Sequence, residues 1–252
     1  MTVQWVRSIF FVGQMYLMMA LMALYFIPAT LFSQANAYRG VRTYSRYVRW
    51  SARWMVGITS EVRGPVPTDE VMIASKHQSF LDILILVSVL PRPKFIMKKS
   101  LVWAPILGWF GLKIGCVPVD RGKRGAAIQQ MVDDVAKGRA LPGQLIIYPQ
   151  GTRVPPGEAR PYKVGSAVLY EALGQPCVPA ATNVGLFWPR VGILRKPGHA
   201  VLTFLPPIAP GLAHEPFLKA LEAQVETASN ALMAEAGFDS LSAAARVPEQ
   251  AE

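Results

Sequence analysis

This 252-residue sequence predicts an α/β fold, with a largely parallel or mixed sheet flanked by helices and an N-terminal membrane-associated helical segment. Three observations carry the prediction. From residue 58 onward, short apolar runs alternate with helix-length segments whose apolar residues recur every three or four positions. Alternation of that kind builds largely parallel sheets covered by helices. The polar, glycine-containing stretches follow the apolar runs, where such sheets bind ligands outside their strand ends. Before residue 58 lies a long segment without charge, and 52% of the whole chain is apolar while 17% is charged.

Taken in order, residues 8–32 come first, 25 positions with no charged side chain. As a helix they reach roughly 37 Å, enough to span a bilayer with some tilt. A secretory signal is the rival reading, since Ala35 and Ala37 resemble a small-residue cleavage site. The apolar run exceeds a signal's core, and the arginines that follow resist translocation. They are Arg39, Arg42, Arg46, Arg49 and Arg53, spaced three and four apart, so a helix lines them along one stripe. Trp50 and Trp54 each follow an arginine and lie beside that stripe. A basic stripe flanked by tryptophan suits the headgroup layer of an anionic membrane. These seven residues are therefore expected to bind the membrane, with residue 33 onward at the cytoplasmic face of the inner (plasma) membrane. Pro28 and Gln14 leave room for a helical hairpin with residues 38–57, so both spanning and lying in one leaflet stay open.

Net charge is +10, and residues 1–60 hold six arginines and no acid. Such asymmetry implies an anionic partner, and the adjacent apolar segment favours a lipid bilayer over nucleic acid. Cys116 and Cys177 lack metal-type spacing and read as small core residues in a reducing compartment.

The main domain is expected over residues 58–236, after N-terminal helices at 1–57 and before a polar tail at 237–252. Strands are expected at 58–63, 71–75, 94–97, 116–119, 145–148, 178–181 and 200–205, and helices at 80–90, 126–137, 164–173 and 216–236. The run from Val71 to Ser75 ends at His77, and Asp82 follows as the apolar spacing changes to that of a helix. At a strand-to-helix junction the carboxylate can fold back on the imidazole, keep one ring nitrogen protonated and leave the other as a base. The opposing reading is an unrelated surface histidine beside a helix-start carboxylate. Lys98, Lys99, Arg121 and the loop Gly151, Thr152, Arg153 follow other strands and offer cations and backbone amides to an anion. No Gly-x-Ser-x-Gly elbow, Walker loop, dinucleotide fingerprint or His-Glu-x-x-His pattern is present. Attack by a substrate group, with His77 as general base, is the simplest chemistry left.

At this point the chain resembles the glycerolipid acyltransferases of the 1-acyl-sn-glycerol-3-phosphate acyltransferase family. Their first block, His followed five positions on by Asp, is matched by His77 and Asp82. The second, Gly then Arg six positions on, is matched by Gly115 and Arg121, with Lys98–Leu101 and Pro105–Trp109 upstream also similar. The third, Pro-Glu-Gly-Thr-Arg, reads Pro149, Gln150, Gly151, Thr152, Arg153, so Gln150 replaces the family's Glu. The fourth corresponds to Cys177–Ala180.

The resemblance implies that His77 deprotonates the sn-2 hydroxyl of lysophosphatidic acid while Asp82 orients the imidazole. The hydroxyl would attack the thioester of acyl-CoA or acyl carrier protein directly, giving phosphatidic acid without a covalent acyl-enzyme. Arg121, Arg153 and Lys98 or Lys99 would hold the phosphate, with Gly151 and Thr152 shaping the loop. No metal or other cofactor is implied. Another acceptor (a lyso-ornithine lipid or glycerol 3-phosphate) stays open, as does a non-catalytic membrane-surface or RNA-binding protein.

Overall fold

The computed structural model describes residues 2–119 and 142–238. Arg121, the helix expected at 126–137 and all but the start of the expected polar tail lie outside the described residues. Two helices lead the chain, α1 (Thr2–Thr30) and α2 (Gln34–Val56), paired as a hairpin. Ser33 caps α2 by accepting from the amide of Ala35, and Gly57 ends it at φ 74°, a conformation that side chains disfavour.

One sheet follows, built from β1 (Ile58–Arg63), β2 (Met72–Ser75), β3 (Pro93–Lys98), β4 (Val117–Val119), β5 (Gln144–Ile147), β6 (Cys177–Thr182) and β7 (Gly198–Phe204). Its order is β1-β7-β6-β2-β5-β3-β4. Every neighbouring pair is parallel except β6 with β7, so the sheet is mixed. Each strand expected from the sequence is present, with ends shifted by at most two residues. β2 sits at the centre, and both of its faces are buried. Ile73 joins the core under α2 and α3, while Met72 and Ala74 join the core on the opposite face. α3 (Leu81–Val89) and α4 (Pro105–Lys113) cover the first face together with α2. α5 (Gly165–Leu173) and α6 (His214–Glu235) cover the second, where Tyr170 stacks on Phe217 at 3.9 Å.

α4 and the short 3₁₀ turn before it (Lys99–Trp103) have no counterpart among the expected elements. Two glycines lower the helix propensity of this segment. Gly108 is nevertheless required, because a Cβ there would stand 2.1 Å from the carbonyl oxygen of Val102. Packing against the preceding turn outweighs the local preference.

α1 is 29 residues long and apolar enough, by length and composition, to cross a membrane. Only one of its faces is buried, through Ser8, Phe11, Met15, Ala23 and Thr30. Both of its ends are tied to the rest of the chain. Gln4 donates to the carbonyls of Val56 and Arg195 at 3.0 and 2.8 Å, and Trp109 of α4 donates to Thr30 at 3.0 Å. The opposite face carries Val6, Phe10, Leu17, Leu24 and other large apolar side chains, all exposed.

Phe217 is fully buried against Tyr170, and replacing it with Ala opens a cavity between α6 and α5. Urea unfolding of Phe217→Ala should show a stability loss of about 3–5 kcal/mol. An unchanged midpoint would contradict this packing.

Candidate functional site

The parallel arrangement brings the carboxyl ends of β2, β3, β5 and β6 to one edge of the sheet. His77 lies two residues past β2, Lys98 ends β3 and Tyr148 follows β5. Asp82 enters from the first turn of α3, where the helix macrodipole favours a negative charge.

Asp82 is fully buried, and four donors converge on its carboxylate. Oδ2 accepts the backbone amides of Gln78 and Ser79 at 2.9 and 2.8 Å. Oδ1 lies 2.9 Å from His77 Nδ1 and accepts the Tyr148 hydroxyl at 3.2 Å. A carboxylate in this setting only accepts, so Nδ1 carries the proton, and in the neutral ring Nε2 keeps its lone pair. The Tyr148 ring stacks on the imidazole with centroids 3.9 Å apart and planes inclined by 17°. Burial and the Asp82 charge push the Tyr148 phenol well above its ordinary range, so it remains a donor across neutral pH. The imidazole is therefore fixed from its edge and from one face.

Beside it opens a cavity of about 260 Å³. His77 and Tyr148 line it together with Leu84 of α3, Lys98 of β3, Phe110 of α4 and Met22 of α1. Its walls are overwhelmingly apolar, and His77 and Lys98 are among the few residues with polar side chains that line it. Lys99 is exposed in the 3₁₀ turn and is not part of that lining. Of the expected lysine pair, the geometry therefore places only Lys98 at the cavity.

The loop after β5 turns tightly. The Gly151 amide donates to the Tyr148 carbonyl at 2.8 Å, and Gly151 has φ 70°. The Val154 amide then donates to the His77 carbonyl at 2.7 Å, which ties this loop to the histidine. Thr152 and Arg153 are partly exposed; Arg153 Nη1 donates to the Arg190 carbonyl at 3.2 Å, and Arg190 Nη1 donates to the Arg153 carbonyl at 3.3 Å. Lys163 reaches back over the turn, its Nζ 2.6 Å from where a Gly151 Cβ would sit. Gln150 is buried and donates to the Arg160 carbonyl at 3.2 Å. Tyr148, Lys163 and the neighbours of Gln150 were not among the expected site residues. A hydroxylated aromatic immediately after a buried strand is the one local signal that marks Tyr148.

The arginine stripe of α2 divides into two rows. Arg39, Arg46 and Arg53 are exposed, as are Trp50 and Trp54. Arg42 instead donates to the carbonyls of Leu90 and Pro91, at 3.0 and 2.8 Å. Arg49 donates to Ser60 Oγ and Ser88 Oγ at 2.8 and 2.7 Å. Arg42 and Arg49, expected with the other three to bind the membrane, thus direct their guanidinium groups to partners within the chain. Residues seven apart share a rotational position, and the inner row falls against β1, the end of α3 and the turn before β3. Burial and the nearby Arg46 charge lower the Arg49 pKa from its ordinary value.

Comparison with known proteins gives the family and the fold. A family model described as Acyltransferase matches residues 58–183. The 1-acyl-sn-glycerol-3-phosphate acyltransferase of Pseudomonas aeruginosa is 29% identical over 205 residues, 78% of each chain. The mouse (Mus musculus) 1-acyl-sn-glycerol-3-phosphate acyltransferase alpha is 30% identical over 164 residues, 63% of this chain and 58% of its own length. The chain thus spans less than two thirds of that relative. The fold matches the crystal structure of the 1-acyl-sn-glycerophosphate acyltransferase PlsC from Thermotoga maritima with a TM-score of 0.75 at 17% identity, covering 92% of this chain and 99% of that one. The chain belongs to the Acyltransferase family, and the relatives it matches include 1-acyl-sn-glycerol-3-phosphate acyltransferases.

Proposed function

We infer that the protein acylates the sn-2 hydroxyl of lysophosphatidic acid, taking the acyl group from acyl-CoA or acyl carrier protein and releasing phosphatidic acid. The observation that carries this reading is an imidazole oriented by a buried carboxylate on the wall of an apolar cavity, with a lysine beside it. The free Nε2 of His77 takes the hydroxyl proton as the oxygen attacks the thioester carbonyl. The tetrahedral intermediate collapses, the carbon–sulfur bond breaks, and the imidazolium returns the proton to the leaving thiolate. Asp82 supports the imidazolium while it exists. Lys98, Arg153 and Arg121 hold the acceptor phosphate, with Gly151 and Thr152 shaping the loop, and the apolar cavity takes the acyl chain.

No protein nucleophile takes part. Burial pushes the thiols of Cys116 and Cys177 up to about 11 and about 12, which leaves neither as thiolate at neutral pH.

The exposed face of α1, with Trp50, Trp54 and the outer arginines, rests in one leaflet on the cytoplasmic side. Support for a leaflet position comes from the anchoring of both ends of α1 to the catalytic domain.

Four measurements test the reading. Acyl transfer to lysophosphatidate by purified His77→Ala should fall by about 10²–10⁴-fold, and near wild-type turnover would remove His77 as the base. Tyr148→Phe keeps the ring stack and loses one hydrogen bond to Asp82, so its rate should drop only about 2- to 10-fold; a loss as large as that of His77→Ala would give the phenol a direct role. An acceptor without phosphate should react much more slowly than lysophosphatidate, and equal rates would contradict the cationic subsite. Epitope tags at the two termini should both be accessible from the cytoplasmic side of membrane vesicles, and opposite accessibility would mean that α1 crosses.

A further inference from the structure

Behind the histidine lies a second, buried polar cluster that this reaction scheme does not use. Lys76, the residue before His77, is 3% exposed. Its ammonium donates to both carboxylate oxygens of Glu226, at 2.7 Å each. Glu226 comes from the middle of α6, 150 residues away in sequence. Its Oε1 also accepts the Tyr162 hydroxyl at 2.9 Å and the Gln150 amide at 3.4 Å. Three segments of the site edge thus meet on one carboxylate. Lys76 carries the histidine, Gln150 opens the Gly151–Arg153 loop, and Tyr162 precedes Lys163, whose amide donates to the Pro149 carbonyl at 3.0 Å.

Among the hydrogen-bonded groups of this cluster the charges balance, and the further carboxylate near Tyr162, Glu222, is exposed. One ammonium faces one carboxylate, and the other two partners are neutral donors. A Glu at position 150 would set a second carboxylate beside the first against a single buried cation. Like charges held that close cannot both stay ionised without displacement. The amide at position 150 is thus the complement of an acid already supplied by α6.

We propose that Glu226 is a positioning residue. It provides from α6 the carboxylate that the loop lacks at Gln150, and it holds the loop and the Lys76–His77 strand end in register. This rests on the acyltransferase reading for its kinetic consequences. The charge placement itself does not.

The test moves the charge. Wild type, Glu226→Gln, Gln150→Glu and the double variant, each as the full-length protein in mixed micelles, are compared by initial rates and by thermal unfolding. Gln150→Glu crowds the cluster and Glu226→Gln leaves Lys76 buried without a counter-ion. Each single variant should raise KM for lysophosphatidate by about tenfold or more while leaving KM for the acyl donor within about twofold. The double variant returns one carboxylate to the cluster, and its acceptor KM should recover to within about threefold of wild type. A Gln150→Glu enzyme that behaves as wild type, or a double variant no better than the worse single, would overturn the proposal. If Glu226→Gln does not fold, folding and recovery of the double variant relative to Gln150→Glu decide the matter in the same way. If wild type shows no acyl transfer, the functional reading fails, and melting temperatures still decide the charge placement. The double variant must then melt above both singles, and any other order refutes it.

Discussion

The sheet edge depends on one buried carboxylate. Asp82 has given up all contact with water, and burying an ion is tolerable only where other donors replace its hydration. Two of the replacements are backbone amides of the turn between β2 and α3, so satisfying the charge also folds that turn. The other two are His77 and Tyr148, which bring the ends of β2 and β5 together. The same contacts leave the imidazole one orientation and one free nitrogen. Orienting the base and closing the strand-to-helix turn are therefore one physical event.

The second constraint is the helical hairpin. α1 and α2 belong to the same apolar core as the sheet, so the hairpin is not a detachable anchor. Phe11 of α1 meets Trp188 edge to face at 5.4 Å, and the Arg195 guanidinium lies over that indole at 4.4 Å. Met22 of α1 lines the cavity that holds His77, while the other face of the same helix is apolar and exposed. In the proposed reaction, one helix touches both the bilayer and the chamber where the acyl chain reacts. An amphiphilic acceptor would need to travel only the thickness of that helix.

Much of this was legible along the chain because it is local. The pairing of His77 with Asp82 needs only a strand end and a helix start, and both are written in the change of apolar spacing between Val71 and Val87. The central strands β2 and β6 were legible because they are buried along their whole length, which makes their residues nearly continuous apolar runs. What stayed hidden is long-range. Tyr148 meets Asp82 across 66 residues, and Gln150 meets Glu226 across 76, with no periodicity to announce either contact. The division of the arginine stripe depends on what packs against α2, namely Ser60, Ser88 and the carbonyls of Leu90 and Pro91. Gln150 read alone is a lost charge. Seen beside Glu226 it is a hydrogen-bond donor in a neutral cluster.

The most direct test of the central claim is the protonation pattern of the His77 ring in the folded enzyme. With three histidines in the chain, nitrogen-15 NMR of a histidine-labelled sample can be assigned by single substitutions. The account predicts a neutral His77 with its proton on Nδ1 and a bare Nε2, and loss of that tautomeric preference in Asp82→Ala. A neutral ring with its proton on Nε2 in the resting enzyme would contradict it, because the remaining lone pair, on Nδ1, would face Asp82 rather than the hydroxyl.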